Sequence, residues 1–162
     1  MPVTNVVHDT ERLSLTITAE FAAPIERIWA LYADPRQLER VFGPPSHPAT
    51  FVEHELRVGG VSKYFMTGPE GEKYHGVWTI TAVDEPNAFS FEDGFADESF
   101  VVNQDMPVSQ CTYSFEAIAA GTRATFVSTY ASAEALQQVL DMGIVEGASS
   151  AINQIDSFLS AA

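Results

Sequence analysis

From Thr50 to Tyr130 the apolar residues recur at every second position, and from Ser132 onward at every third or fourth. That change of period constrains the fold more than any other feature of the chain. A two-residue period sends successive side chains to opposite faces of a strand, whereas a 3.6-residue period gathers them on one side of a helix. Trp78, Ile80 and Ala82 share one face, as do Phe89, Phe91 and Phe95, and Cys111, Tyr113, Phe115 and Ala117. The predicted strands are 50–57, 61–67, 73–83, 87–95, 109–118 and 122–130. Turn formers separate them: Gly59-Gly60, Gly68-Pro69-Glu70-Gly71, Asp84-Glu85-Pro86-Asn87, the stretch around Asp105-Met106-Pro107, and Gly121-Thr122. Connections this short imply antiparallel neighbours.

The glycine-rich stretch Arg57 to Gly76 could suggest a phosphate loop. Such a loop needs a strand, then glycines with a Lys-Ser/Thr pair, then a helix. Here Gly59-Gly60 leads into "VSKYFMT" and the second cluster into "EKYHGVWTITAV", both strand-like. The glycines serve hairpins.

Ahead of the strands, Leu13, Leu15, Ile17 and Ala19 alternate with Ser14, Thr16 and Thr18 as one more half-buried strand. "APIERIWALYADP" then changes period, with Pro24 at a helix start and Ile25, Ile28, Trp29 and Tyr32 on one face. Asp34 can cap a second short helix, "PRQLERVFG", which stops at Gly43-Pro44-Pro45. At the other end Ser132 is an N-cap for a long helix. Leu136, Val139, Leu140, Gly143, Gly147, Ala151, Ile155, Phe158 and Leu159 form its apolar stripe. Gly143 and Gly147 let that helix approach the sheet or leave room beneath it, or else break the helix at "DMGIVEG". Close approach is the expected outcome. The order predicts a single α+β domain over residues 1–162: a curved antiparallel sheet of about seven strands wrapped around a long C-terminal helix. Residues 1–10, with His8, are expected to be flexible.

The 162 residues are 46% hydrophobic and 19% charged, enough for a self-sufficient core. Lys+Arg number 8 against 22 for Asp+Glu, so 8 − 22 = −14. So acidic a surface argues against nucleic acid, and no apolar run is long enough to insert in a membrane. The N-terminus carries no basic region followed by an apolar core, and the lone Cys111 has no partner for a disulfide. A cytoplasmic setting is expected.

Four pieces of the sequence resemble the START-like or SRPBCC superfamily, and within it the AHSA1 group, relatives of the activator of the 90-kDa heat-shock chaperone's ATPase. "APIERIWALYADPRQLERVFGPP" is similar to the family's opening helix pair and aromatic-Gly-Pro corner. "ELRVGGVSKYFMTGPEGEKYHGVWTI" looks like its Arg-x-Gly-Gly hairpin and following strand. "VDEPNAFSF" resembles its Pro-containing turn, and "VLDMGIVEGASSAINQIDSFLSA" its closing helix. The corner departs from the Trp-Trp-Gly-Pro common in relatives, reading Val41-Phe42-Gly43-Pro44. The resemblance implies a helix-grip fold, with a hydrophobic small molecule held between sheet and helix and no cofactor. It also leaves open a cyclase- or dehydratase-like enzyme using the same space. A third reading is a module that meets a chaperone, and a second copy of the chain is a further candidate partner.

By alternation and by this architecture, the cleft is expected to be lined by Trp29, Phe42, His54, Tyr64, Met66, Trp78, Phe91, Tyr113 and Met142. His54 falls in phase with Val52 and Leu56, toward the inner face, unless a bulge turns Glu53 and Glu55 inward. There it would meet a ligand, move a proton, or be a satisfied core histidine. In an enzyme, Tyr64 or Tyr113 would assist it. His75 is expected outside and His47 in a loop, and no histidine or cysteine spacing suits a metal. Glu92 and Asp93 are expected as solvated hairpin residues on opposite faces.

Overall fold

The computed structural model describes residues 2–161. Its sheet has eight strands in the order β1-β2-β8-β7-β6-β5-β4-β3, every adjacent pair antiparallel. The strands are β1 (Val3–Asp9), β2 (Ser14–Phe21), β3 (Ala49–His54), β4 (Val61–Thr67), β5 (Lys73–Asp84), β6 (Ala88–Ala96), β7 (Ser109–Ile118) and β8 (Gly121–Thr129). Helices α1 (Ile25–Ala33) and α2 (Pro35–Val41) follow β2, and α3 (Ala133–Asp141), α4 (Ile144–Asn153) and α5 (Ile155–Ala161) close the chain. This is the expected α+β helix-grip architecture, a curved sheet closed by helix on its inner face.

The eighth strand corrects the expectation of a flexible segment over 1–10. β1 pairs along β2, and the Val3 amide donates to Asn153 Oδ1 at 3.0 Å, tying the sheet edge to α4. Its sequence, "VTNVVHD", shows no alternation because only Val3 and Val6 pack against the core while Val7 is exposed.

The C-terminal helical segment is divided into α3, α4 and α5. Ser132 caps α3 through the Ala135 amide at 3.1 Å, as expected. Gly143 then takes φ +83°, a left-handed conformation open chiefly to glycine, and separates α3 from α4. Close approach at the two glycines is therefore corrected. Gly143 breaks the helix, and a Cβ on Gly147 would meet nothing within 4 Å. Gly147 therefore presses on nothing.

Two packing clusters result. The larger joins Ile17, Ala19 and Phe21 of β2 and the apolar faces of α1 and α2 to the inner aromatics of β3–β8 and to Ile152 and Ile155. The smaller sets Leu15 against Leu136 and Val139 of α3, with Tyr130 and Val145 at its border. The polar inner-face residues of β6–β8 lie toward this second, α3 end of the sheet.

The glycines divide by what surrounds them. Gly43, in the corner after α2, sits where a Cβ would lie 2.9 Å from the Ala49 amide nitrogen, and its carbonyl accepts from Gln154 Nε2 at 2.7 Å. Gly43→Ala is expected to lower stability by roughly 1–3 kcal/mol through overpacking. Gly147→Ala fills only open space in a helix and is expected to raise stability by up to ~1 kcal/mol. Paired thermal melts check both signs.

Candidate functional site

The inner face is built around Trp78, which has no accessible surface. Its ring stacks on Phe91 at 4.1 Å between centroids and meets Phe42 at 5.2 Å, Phe51 at 5.8 Å and His54 at 5.9 Å edge to face. Trp29 meets Phe89 at 5.8 Å and Phe115 at 6.3 Å. Of the nine residues expected to line a cleft, Trp29, Phe42, Trp78 and Phe91 thus pack ring on ring and fill the end of the interior next to α1 and α2. Met66 is half-buried against the same cluster. Met142 is more than half exposed at the helix break, away from the cluster.

His54 points inward, though not for the reason alternation gives. A register shift between Phe51 and Glu53 puts both Val52 and Glu53 outside and returns His54 to the side of Phe51. Its Nε2 lies 2.7 Å from the Tyr32 carbonyl, which can only accept, so Nε2 carries the proton. Nδ1 then accepts from the Ser62 hydroxyl at 2.6 Å. Burial holds its pKa below the usual imidazole value. With both nitrogens engaged, His54 latches β3 and β4 to the end of α1. His75 is half-buried on the outer face between Phe65 and Phe100.

Asp93 overturns the expectation of a solvated hairpin residue. It lies on β6 in phase with Phe89 and Phe91, paired across the sheet with Trp78 on β5 and Ser109 on β7. The phase was legible, since Phe89, Phe91 and Phe95 already marked that face. The Tyr64 hydroxyl donates to Asp93 Oδ1 at 3.0 Å. That reach is possible because Gly76 stands between them: a Cβ there would collide with the end of the Tyr64 ring. Burial, opposed only by the Tyr64 hydrogen bond, pushes the Asp93 pKa up to about 7.

Around this carboxyl stand Cys111, Tyr113 and Tyr130. Cys111 Sγ is 3.4 Å from Ser109 Oγ and 3.5 Å from Ser128 Oγ, and burial raises its pKa to about 12. Burial likewise lifts Tyr64 and Tyr113 well above the ordinary phenol value and Tyr130 to about 12, so each presents a neutral hydroxyl. Tyr113 packs edge-on to Phe126 at 4.7 Å and Phe91 at 5.0 Å and reaches Tyr32 at 5.8 Å.

Asp93 Oδ2 and the Tyr113 hydroxyl have no protein partner among the described residues, yet neither is sealed. Among the described residues the one sealed side-chain polar atom without a partner is Trp78 Nε1, on the residue paired with Asp93. Asp93, Tyr113, Ser128 and Tyr130 all remain half-buried, as do Gly147 and Ala148 on α4.

Two concavities lie elsewhere on the surface. One of about 460 Å³ separates the start of α1 from the β7–β8 turn, and a shallow one of about 830 Å³ runs past Lys73, His75 and Asp97. None of the nine expected lining residues borders either. Among the described residues no cluster of His, Cys, Asp or Glu could hold a metal ion, and no helix is long and apolar enough to cross a membrane.

Comparison with known proteins places the chain. The family model described as Activator of Hsp90 ATPase homolog 1-like protein, AHSA1, matches residues 22–160. The crystal structure of protein Ms6760 from Mycobacterium smegmatis is similar over 99% of both chains, with 70% identity and a TM-score of 0.92. A protein from Arthrobacter aurescens is 46% identical, with a TM-score of 0.94 over 99% of this chain and 93% of its own. The AHSA1 protein of Silicibacter pomeroyi shares the fold, at 22% identity and a TM-score of 0.72 over 91% of this chain and 98% of that one. No curated protein matches. The chain belongs to the AHSA1 family of the START-like superfamily.

Proposed function

We propose that the protein binds a small, mostly apolar molecule between the inner face of β6–β8 and α4, with the ligand's polar group meeting Asp93 and Tyr113. The observation that carries this reading is Asp93 itself. A carboxyl recessed among aromatic rings, with one oxygen unmatched, costs stability and is retained where a ligand completes it. The room beside Gly147 supports the same place. Of the residues first expected to line the cleft, Tyr64, Tyr113 and Met66 belong to this reading. Trp29, Phe42, Trp78 and Phe91 are its rigid wall, and His54 braces it from behind.

The enzyme reading changes its actors. His54 has no free nitrogen, so any proton transfer in this cleft falls to Asp93, whose pKa of about 7 suits a group that gives and takes protons near neutrality.

Nile red, a neutral lipophilic dye, is expected to bind saturably at one site per chain with a rise in fluorescence. Gly147→Leu projects a side chain into the open space and is expected to weaken binding at least about tenfold, while Gly147→Ala does not. Absence of saturable binding, or equal binding by the Leu variant, would count against the reading.

The carboxyl also leaves a signature on the unliganded protein. Its folded pKa, about 7, exceeds the unfolded value of 3.8. Between those values the folded state holds the proton that the unfolded state has lost, so stability falls as pH rises through this window and levels off above it. Asp93→Asn is expected to flatten that fall. Chemical denaturation from about pH 4 to about pH 8 checks it, and parallel curves for the two proteins would refute it.

A further inference from the structure

Among the described residues no cationic side chain meets Asp93. There are 8 Lys and Arg residues. Arg12 pairs with Asp9, Arg36 with Glu39, Arg57 with Glu55, and Arg123 with Glu20 and Glu116. Arg27 bonds Gln37 and, with Arg40, lies over the Phe158 ring. Lys73 sits over Phe65 on the outer face, and Lys63 falls out of phase with the inward Ser62 and Tyr64. The histidines add nothing: His54 is held neutral with both nitrogens engaged, His75 lies outside, His47 bonds Ser46 in its loop, and His8 is on edge strand β1.

The groups that do face Asp93 are neutral: Tyr64 from β4, Cys111 and Tyr113 from β7, and Tyr130 beyond β8. The acidic residues of the α3–α4 break, Asp141 and Glu146, are exposed. Among the described residues the surroundings of Asp93 therefore hold one carboxyl, several hydroxyls and the rings of Trp78, Phe91 and Tyr113, and no positive charge. An anionic ligand would meet a carboxylate with nothing to offset it. A neutral one would leave Asp93 to keep its proton, or to ionise with only the Tyr64 hydroxyl to meet it.

Resting on the binding reading above, we propose that the ligand is a cation: a protonated amine on an apolar body, its ammonium group against Asp93 Oδ2 and the aromatic faces beside it. The carboxylate supplies the charge that the rings alone would supply weakly, and the rings supply the dry surroundings in which that charge counts. Such a ligand favours the ionised form of Asp93. Its affinity therefore rises with pH until the amine itself loses its proton.

Three matched probes test this by displacement of Nile red: naphthylmethylamine, naphthylmethanol and naphthylacetic acid. The amine is expected to bind at least about tenfold more tightly than the alcohol at about pH 8, and its advantage to shrink at about pH 5.5, where Asp93 is protonated. The acid is expected to be weakest throughout. Asp93→Asn, which keeps the shape of the side chain, is expected to abolish the preference without abolishing binding of the alcohol. The pH comparison on the unaltered protein stands if that variant folds poorly. An alcohol or acid that binds as well as the amine overturns the cation while leaving the cleft intact. Failure of all three probes, with no saturable Nile red binding, overturns both.

Discussion

The packing of Trp78 is the constraint on which the rest of this molecule depends. One indole at the centre of the concave face touches the corner after α2 through Phe42, strand β3 through Phe51, and strands β6 and β7 through Phe91 and Tyr113. Rings this large bury much apolar area and have few rotamers, so fixing one orients its neighbours. The consequence for the site is positional. Tyr64 lies beside Trp78, reaches over Gly76, and meets a carboxyl on the far side. Rigid hydrophobic packing thus holds a polar group in a place that polar groups avoid.

The same packing explains why the fold has two ends with different character. Toward α1 and α2 the interior is ring against ring, and even the buried histidine has both nitrogens satisfied by Ser62 and Tyr32. Toward α3 the small cluster of Leu15, Leu136 and Val139 forms a separate hydrophobic patch. The helix break at Gly143 lies at this second end. An unbroken helix would continue the axis of α3. The left-handed residue instead lets α3 pack on Leu15 while α4 takes its own course toward Ala151 and Ile152. Backbone freedom at one glycine is what permits the two helices to take separate courses.

How much of this the sequence disclosed depended on whether a physical signal was local. Strand periods, the Asp34 and Ser132 caps and the glycine turns are local, and they led to the correct architecture. β1 escaped because an edge strand covered on one side by few neighbours needs no alternation. His54 came out inward while its supposed companion Val52 came out exposed, since a bulge resets the phase without altering composition. Asp93 was the instructive miss. Its phase with Phe89 and Phe91 was visible, but burying a carboxylate carries a cost that nothing local offsets. What the sequence could not supply was Tyr64, 29 residues away in the chain, whose hydroxyl makes that cost tolerable.

The electrostatic contrast between surface and interior completes the argument. A net charge of −14 surrounds the molecule with a field that draws in cations and turns away anions. On an ordinary surface this field would be spent on counterions. Here Asp93 is also recessed, with the Tyr64 hydroxyl on one oxygen and no described cation beside it, so the preference set outside is repeated inside, where pairing is stronger. A cationic ligand of the kind proposed would be selected twice by the same sign and would need no basic residue to recognise it. It would need an apolar body that fits beside rings already fixed by Trp78, and a positive end that reaches one carboxylate oxygen.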